Sequence, residues 1–286
     1  MRYILLLISL LLVVSCAANK AVQINPDSFW KDGYCVQTTC KTPEADSGVI
    51  SAKVNGEWKD YKLAEYPEAF MEWNVGSRLD MLAQIKDMMM GKEGAGPPAL
   101  DGPHNGVVAT YGFKREDTLF DLNNAVKGMG FLPKREKIKE IIALLEDTHD
   151  DPMPKKLGVL ESLYQDAENN FALDKQVSLE LYSQPKFMTQ SFLNQMTNPV
   201  CTIVYMDIPS YKLKTISRLL HPDDPNLSEY EQDIVKYINE IHSYFHGEFS
   251  INFLATIYYT VEVFDNSPRG KDPKTGMGRK MIPLMP

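Results

Sequence analysis

Two spacings of apolar residues, every three to four positions and every second position, mark the predicted helices and strands of this chain. The clearest helix covers residues 228–246, where Ser228 and Glu231 have the spacing of a capping box and Gly247 stands at the expected end. Other helices are predicted at 67–91, 116–128, 134–147, 154–168 and 186–196. Strands are predicted at 107–111, 177–182, 200–207 and 253–264, whereas the pattern at 210–220 fits either element.

An Asn-Gly pair marks the most definite turn. Asn55 and Gly56 tolerate the positive φ angles of a type I′ turn, and alternating apolar residues flank them, so residues 49–63 are predicted to form a β-hairpin. Between 107 and 264 helices and strands alternate, but their connections do not give regular βαβ units. We therefore predict an α+β fold, with a mixed sheet of about four to six strands covered by helices and the N-terminal hairpin added at one edge.

Residues 91–106 are rich in glycine and proline and are predicted to form a long loop. Loops of this length are uncommon in compact domains and usually have a role. The loop is therefore predicted to be either a boundary between two lobes or a lid over a site. The globular domain is predicted to cover 31–264, as one unit or as two lobes split at 91–106. Residues 265–286 are locally basic and are predicted to form a flexible tail.

The N-terminal residues have the layout of a secretory signal. Residues 1–3 are a short positive head, residues 4–14 are an almost unbroken apolar run, and Val13-Val14-Ser15-Cys16 closes it. At about 1.5 Å per residue this run covers roughly half of a bilayer core, so it does not predict a transmembrane anchor. The closing residues resemble the lipobox of bacterial lipoproteins. The alternative is an ordinary signal peptide with a coincidental cysteine, and residues 17–286 resemble no family that we identify.

The lipoprotein resemblance implies a processed, membrane-anchored protein. Residues 1–15 would be the signal peptide, Cys16 would carry a diacylglyceryl group and an N-acyl chain such as palmitate, and residues 16–30 would form the lipidated cysteine and a tether. Stable anchoring requires more than one acyl chain, which this modification supplies. The resemblance also implies an extracytoplasmic place in the cell envelope. Ala17 stands where an inner-membrane retention signal usually carries Asp, which favours the outer membrane.

The charge balance limits the class of partners. The formal net charge is −8, and loss of Arg2 with the signal peptide makes the mature chain −8 − 1 = −9. Nucleic acid is therefore not a predicted partner, because its recognition needs a basic surface. The membrane is expected to be bound through the lipid at Cys16 and not through surface charge.

Three cysteines remain after Cys16. Cys35 and Cys40 flank a polar segment, and in an oxidising compartment they are predicted to form a local disulfide; free thiols or a pair of metal ligands are the alternatives. Cys201 lies in an apolar, strand-like run and is predicted to be a buried, inert thiol. The run Met88-Met89-Met90 cannot converge on one soft metal, because consecutive helical positions point about 100° apart, and it is predicted to fill the core.

The helix at 228–246 carries the best candidate for chemistry. His242 and His246 are four residues apart and share one face near its C-terminal end, a spacing that can bind one metal ion such as zinc. The glutamate of a zinc protease is absent between them, and a third ligand has to come from elsewhere. Candidates are Glu248, His221 with Asp223 and Asp224, and His149 with Asp147, Asp150 and Asp151. The alternative is that both imidazoles stabilise the helix end.

No nucleophile elbow, P-loop or kinase signature occurs in the sequence. The favoured hypothesis is therefore a non-catalytic, lipid-anchored domain that binds a protein partner or a small ligand. One alternative is a metal-dependent, hydrolytic envelope enzyme that uses His242 and His246. Another is a flavin- or haem-binding protein in which a helix histidine contacts the cofactor. The sequence identifies neither the ligand nor the partner.

Overall fold

An antiparallel sheet that curls on itself forms the centre of the protein. A computed structural model describes residues 24–45, 47–274 and 276–283. The predicted signal peptide, Cys16 and the first part of the tether lie outside these described residues. The α+β fold is confirmed, but the main sheet has eight strands and not four to six, and its described pairings are antiparallel and not mixed.

Besides the main sheet, the structure contains two small sheets of two strands each. The strands are β1 (Trp30–Lys31), β2 (Tyr34–Cys35), β3 (Val49–Val54), β4 (Glu57–Lys62), β5 (Asn105–Thr110), β6 (Asn123–Gly128), β7 (Gly130–Pro133), β8 (Phe171–Glu180), β9 (Val200–Tyr205), β10 (Tyr211–Leu220), β11 (Leu254–Asp265) and β12 (Arg279–Ile282). The helices are α1 (Glu68–Met89), α2 (Ile138–Asp147), α3 (Met153–Gln165), α4 (Ala167–Asn170), α5 (Gln190–Thr197) and α6 (Glu229–His246). β1 pairs with β2 and β3 pairs with β4, and the other strands form the main sheet.

The strand order of the main sheet explains its curl. The order is β6-β5-β9-β10-β11-β8-β7, with β12 paired to β11. β6 and β7 stand at opposite ends of this order, yet only Met129 separates them in the chain. The two ends of the sheet must therefore meet at Met129. An ion pair between Lys127 of β6 and Glu180 of β8, with Nζ and Oε2 2.6 Å apart, links one end of the sheet to the strand that neighbours the other end.

The helices pack in pairs over the sheet. α1 packs on α3 and α2 packs on α6, while α6 also lies against β8 and β11. The predicted capping box of α6 is confirmed, since Ser228 Oγ accepts a hydrogen bond from the Glu231 amide at 3.3 Å and Glu231 Oε2 accepts one from the Ser228 amide at 3.0 Å. Ile234 and Ile238 of its apolar face are fully buried. This face fixes α6 against the sheet.

One hydrophobic core includes residues from both sides of the predicted 91–106 loop. Ile50 and Phe70 precede the loop, and Phe131, Ile203 and Ile257 follow it, all within one cluster. A smaller cluster surrounds Phe192 of α5, on which the Trp30 ring stacks with the ring centres 5.5 Å apart. The chain before the loop is therefore packed into the same core as the chain after it.

Several segments differ from the sequence prediction. The helix predicted near 116–128 is wrong, because residues 123–128 form β6, which pairs with β5 along its whole length. Pairing with a neighbouring strand outweighs a weak local preference for helix. The ambiguous segment 210–220 is the strand β10. Met88, Met89 and Met90 were expected in the core but are 41%, 47% and 63% exposed, because the end of α1 leads into an exposed loop.

The hairpin and the C-terminal segment are placed differently from the prediction. The 49–63 hairpin is confirmed as β3 and β4, but it forms its own two-stranded sheet and is not an edge of the main sheet. A hydrogen bond from the Ala64 amide to the Thr260 carbonyl, 2.9 Å long, links the chain just after it to β11. Within the basic segment 265–286, Arg279–Ile282 forms β12, which pairs with β11.

Candidate ligand-binding site

An apolar cavity of about 440 Å³ lies where the two ends of the curled sheet meet, beneath α1, α3 and α6. Pockets that bind small molecules have volumes of roughly 300–1,000 Å³. Its walls are formed by Arg78, Met81, Leu82 and Ile85 of α1, Leu160, Leu163 and Tyr164 of α3, Tyr237, Ile241, His242, Phe245 and His246 of α6, and residues 128–131, 171 and 177 of the sheet. The cavity therefore draws on segments that are far apart in the sequence.

The long loop at 91–106 closes one side of this cavity. Pro98, Ala99, Leu100 and His104 contribute to the lining. Leu100 is 81% exposed, whereas Leu82 across the cavity is buried. The loop therefore lies at the mouth, and its outer residues are open to solvent. Whether the loop acts as a lid stays a prediction.

Arg78 is the charged side chain of the lining, and it is only 4% exposed. Its Nη2 donates to the carbonyl oxygens of Pro103 at 3.0 Å and Met129 at 2.6 Å, and its Nε donates to Asn74 Oδ1 at 3.2 Å. All these acceptors are neutral, and within the part of the chain that the structure describes no carboxylate forms an ion pair with Arg78. Nη1 takes part in none of these bonds. The Met129 bond also holds α1 to the junction of β6 and β7.

Three imidazoles, those of His104, His242 and His246, line this cavity. Burial, together with the positive charge of Arg78, lowers the pKa of His104 to about 4. Burial also lowers the pKa of His242. The Nδ1 atom of His242 is 2.9 Å from the Ile238 carbonyl oxygen, which can only accept, so Nδ1 carries the proton and Nε2 is the free acceptor. Because their pKa values are lowered, the imidazoles of His104 and His242 are neutral near pH 7.

The predicted metal pair has a geometry that does not converge on one ion. The ring centres of His242 and His246 are 6.5 Å apart. With Zn–N bonds of about 2.1 Å at a tetrahedral angle, the two ring centres would stand roughly 5.3 Å apart. Among the described residues, no group of three or more His, Cys, Asp or Glu side chains is placed to hold a metal ion. The fold also brings His104, which the sequence did not suggest, close enough to His242 and His246 to interact with them electrostatically.

The proposed third ligands lie elsewhere. His149, Asp223, Asp224 and Glu248 line a separate, more open groove of about 830 Å³ on another side of α6. There His149 Nδ1 is 2.7 Å from Glu240 Oε1, a hydrogen bond between α6 and the segment after α2. Asp147, Asp150 and His221 are not among the residues that line either space, and Asp151 pairs with Lys155 at 2.8 Å.

The remaining cysteines are buried and free in the structure. Cys35 belongs to the smaller cluster around Phe192, whereas Cys40 and Cys201 belong to the main core. The predicted bridge between Cys35 and Cys40 is thus not part of this structure. Burial raises the pKa of all three thiols to about 12, which is the opposite of what a reactive thiolate requires. This agrees with the predicted inert role of Cys201.

Sequence reasoning missed Arg78 and His104. Arg78 lies on the buried face of α1 with Phe70, Asn74 and Leu82, each four residues from the next. A charged residue in the register of a buried helical face was the available signal. His104 carries no comparable signal, because only the fold brings the end of the loop beside α6.

Comparison with known proteins adds no assignment: no protein-family model matches this chain, and no curated protein matches it. In the residues that the structure describes, no helix has both the length and the apolar character needed to cross a membrane.

Proposed function

We propose that this protein is a lipid-anchored, extracytoplasmic binding protein whose cavity takes a small, largely apolar ligand. The observation that carries the proposal is the cavity itself, with a volume of about 440 Å³, a mostly apolar lining and a loop at its mouth. Burial of apolar surface is the main source of affinity in such a site. Arg78 and the neutral imidazoles of His104 and His242 would orient the ligand. This interpretation develops the small-ligand form of the favoured hypothesis.

Binding of a neutral fluorescent probe, N-phenyl-1-naphthylamine, tests the proposal. The mature chain, residues 16–286, would be produced in the cytoplasm so that it is not lipidated. Met81 lines the cavity, whereas Met88 lies seven residues further along α1 and does not. We expect Met81→Trp to weaken probe binding at least tenfold, because the larger side chain fills the cavity, and Met88→Trp to leave the affinity within about twofold. Equal affinities of the two variants, or no probe binding by the wild type, would overturn the proposal.

The envelope location is supported by the lipobox and is tested separately. Cys16→Ala removes the sulfur to which the lipid would be attached. We expect the wild-type protein to incorporate labelled palmitate and to fractionate with the outer membrane, and the variant to do neither. Cys201→Ala, which changes a buried thiol, is the matched control and should retain the label. A Cys16→Ala protein that is still labelled and membrane-bound would contradict lipid anchoring at this residue.

A further inference from the structure

Arg78 is a buried cation without an anionic partner. It is 4% exposed, lines the cavity, and is neutralised by no carboxylate among the described residues. The described lining also contains no Asp, Glu or Lys. A buried charge is unfavourable unless it is paired. Two backbone carbonyls, one amide oxygen and the Tyr164 ring, whose centre is 5.2 Å from Arg78 Cζ, are neutral groups and compensate the charge only in part. An anion in the cavity would complete the pairing through Nη1, which makes none of the three bonds.

The depth of Arg78 indicates how a ligand would lie. Arg78 and Tyr237 are buried, whereas Leu100 and His246 are exposed and mark the mouth. An acidic group paired with Arg78 would therefore lie at the inner end of the cavity. The attached apolar body would extend past Ile241 and Ile85 towards the mouth.

The charge of the cavity favours a monoanion. Arg78 supplies one positive charge, and burial lowers the pKa values of His104 and His242, so these imidazoles add none near pH 7. A carboxylate carries one negative charge, which matches the single charge of Arg78, and it can accept a charge-assisted hydrogen bond from Nη1. A phosphate monoester carries about −1.5 to −2 at pH 7 and would leave part of its charge unpaired.

The volume is sufficient for an apolar part that consists of a single chain. At roughly 30 Å³ for each water-sized group, 440 Å³ accommodates about fifteen such groups. A methylene group is of similar size, so the space fits a carboxyl group and a chain of about a dozen carbons. We propose that the ligand is a single-chain carboxylic acid of the fatty-acid class, whose carboxylate pairs with Arg78. This inference rests on the proposed function, because it assigns a chemical class to the ligand of the same cavity.

Displacement of N-phenyl-1-naphthylamine from the wild-type mature chain by an acid and by an alcohol tests whether the head group of the ligand is a carboxylate. Dodecanoate and 1-dodecanol have the same chain length, but only the acid carries a charge at pH 8. We expect dodecanoate to bind about tenfold or more tightly than the alcohol, since hydrogen bonds to charged groups are the stronger ones. Equal binding of acid and alcohol would overturn the carboxylic-acid inference and leave the apolar cavity intact as a binding site. Failure of the probe and both compounds to bind would overturn the proposed function as well.

Substitutions of Arg78 test whether this residue causes the preference for the acid over the alcohol. We expect Arg78→Met to reduce the preference for acid over alcohol to less than about threefold, and Arg78→Lys to retain part of it because the charge remains. Arg269→Met removes the same charge from an exposed position and should keep the full preference. A folded Arg78→Met protein that still prefers the acid at least tenfold would overturn the pairing. If Arg78→Met does not fold, Arg78→Lys and the wild-type comparison of acid with alcohol still decide the matter.

Discussion

At the scale of single residues, the cavity wall combines a buried cation with a neutral histidine. Arg78 and His104 interact electrostatically, and the positive charge of Arg78 acts together with burial to keep His104 neutral. Protonation of His104 would place a second positive charge next to the first in a site of low polarity. The folded protein therefore resists this protonation, whereas the unfolded chain does not.

The stability of the fold should depend on pH through His104. Its pKa is about 4 in the folded state, against roughly 6.5 when unfolded, so the unfolded chain binds the proton first as the pH falls. The contribution is complete above pH 6.5 and is lost progressively towards pH 4, up to about 3 kcal/mol. We expect the free energy of urea unfolding to fall more steeply for the wild type than for His104→Gln between pH 7 and pH 4. A constant difference between the two proteins over this range would contradict the assigned shift.

At the scale of elements, the sequence predicts well what a single element determines alone. The capping box and apolar stripe of α6 and the Asn-Gly hairpin are local patterns, and both elements are found where they were predicted. β6 was missed because pairing with β5 determines that this segment is a strand. The local sequence pattern carries no information about that pairing. The position of Arg78 in the cavity wall was missed for a similar reason, since the role of a charged residue on a buried face of α1 cannot be interpreted until its surroundings are known.

At the scale of the whole molecule, the cavity is a consequence of how the sheet closes. Met129 joins the two ends of the strand order, and its carbonyl accepts the 2.6 Å hydrogen bond from Arg78 while its amide donates to the His104 carbonyl at 2.7 Å. Helix α1, the loop and the sheet are thus tied together at one residue beside the cavity. The order of the strands, and with it the site, could not be derived from the periodicity of any segment.

The ion pair across the sheet closure gives a test of this architecture. Lys127 of β6 and Glu180 of β8 have side chains only 13% and 1% exposed. Glu180 Oε1 also accepts hydrogen bonds from Ser183 at 3.2 Å and from Thr189, the N-cap of α5, at 2.9 Å. Lys127→Met leaves the buried carboxylate without its counter-ion, and we expect the free energy of unfolding to fall by about 3–5 kcal/mol in urea denaturation.

Lys214→Met is the matched control for this prediction, because Lys214 is 48% exposed and its partner Glu262 also pairs with Lys280. Its effect should stay below about 1 kcal/mol, as is usual for exposed ion pairs. The double variant Lys127→Met with Glu180→Gln should recover part of the loss, since it removes the unpaired charge. If Lys127→Met cost no more than the control, the charge pair would not hold the two ends of the sheet together. Hydrophobic packing around Met129 would then be the interaction that closes the sheet and shapes the cavity.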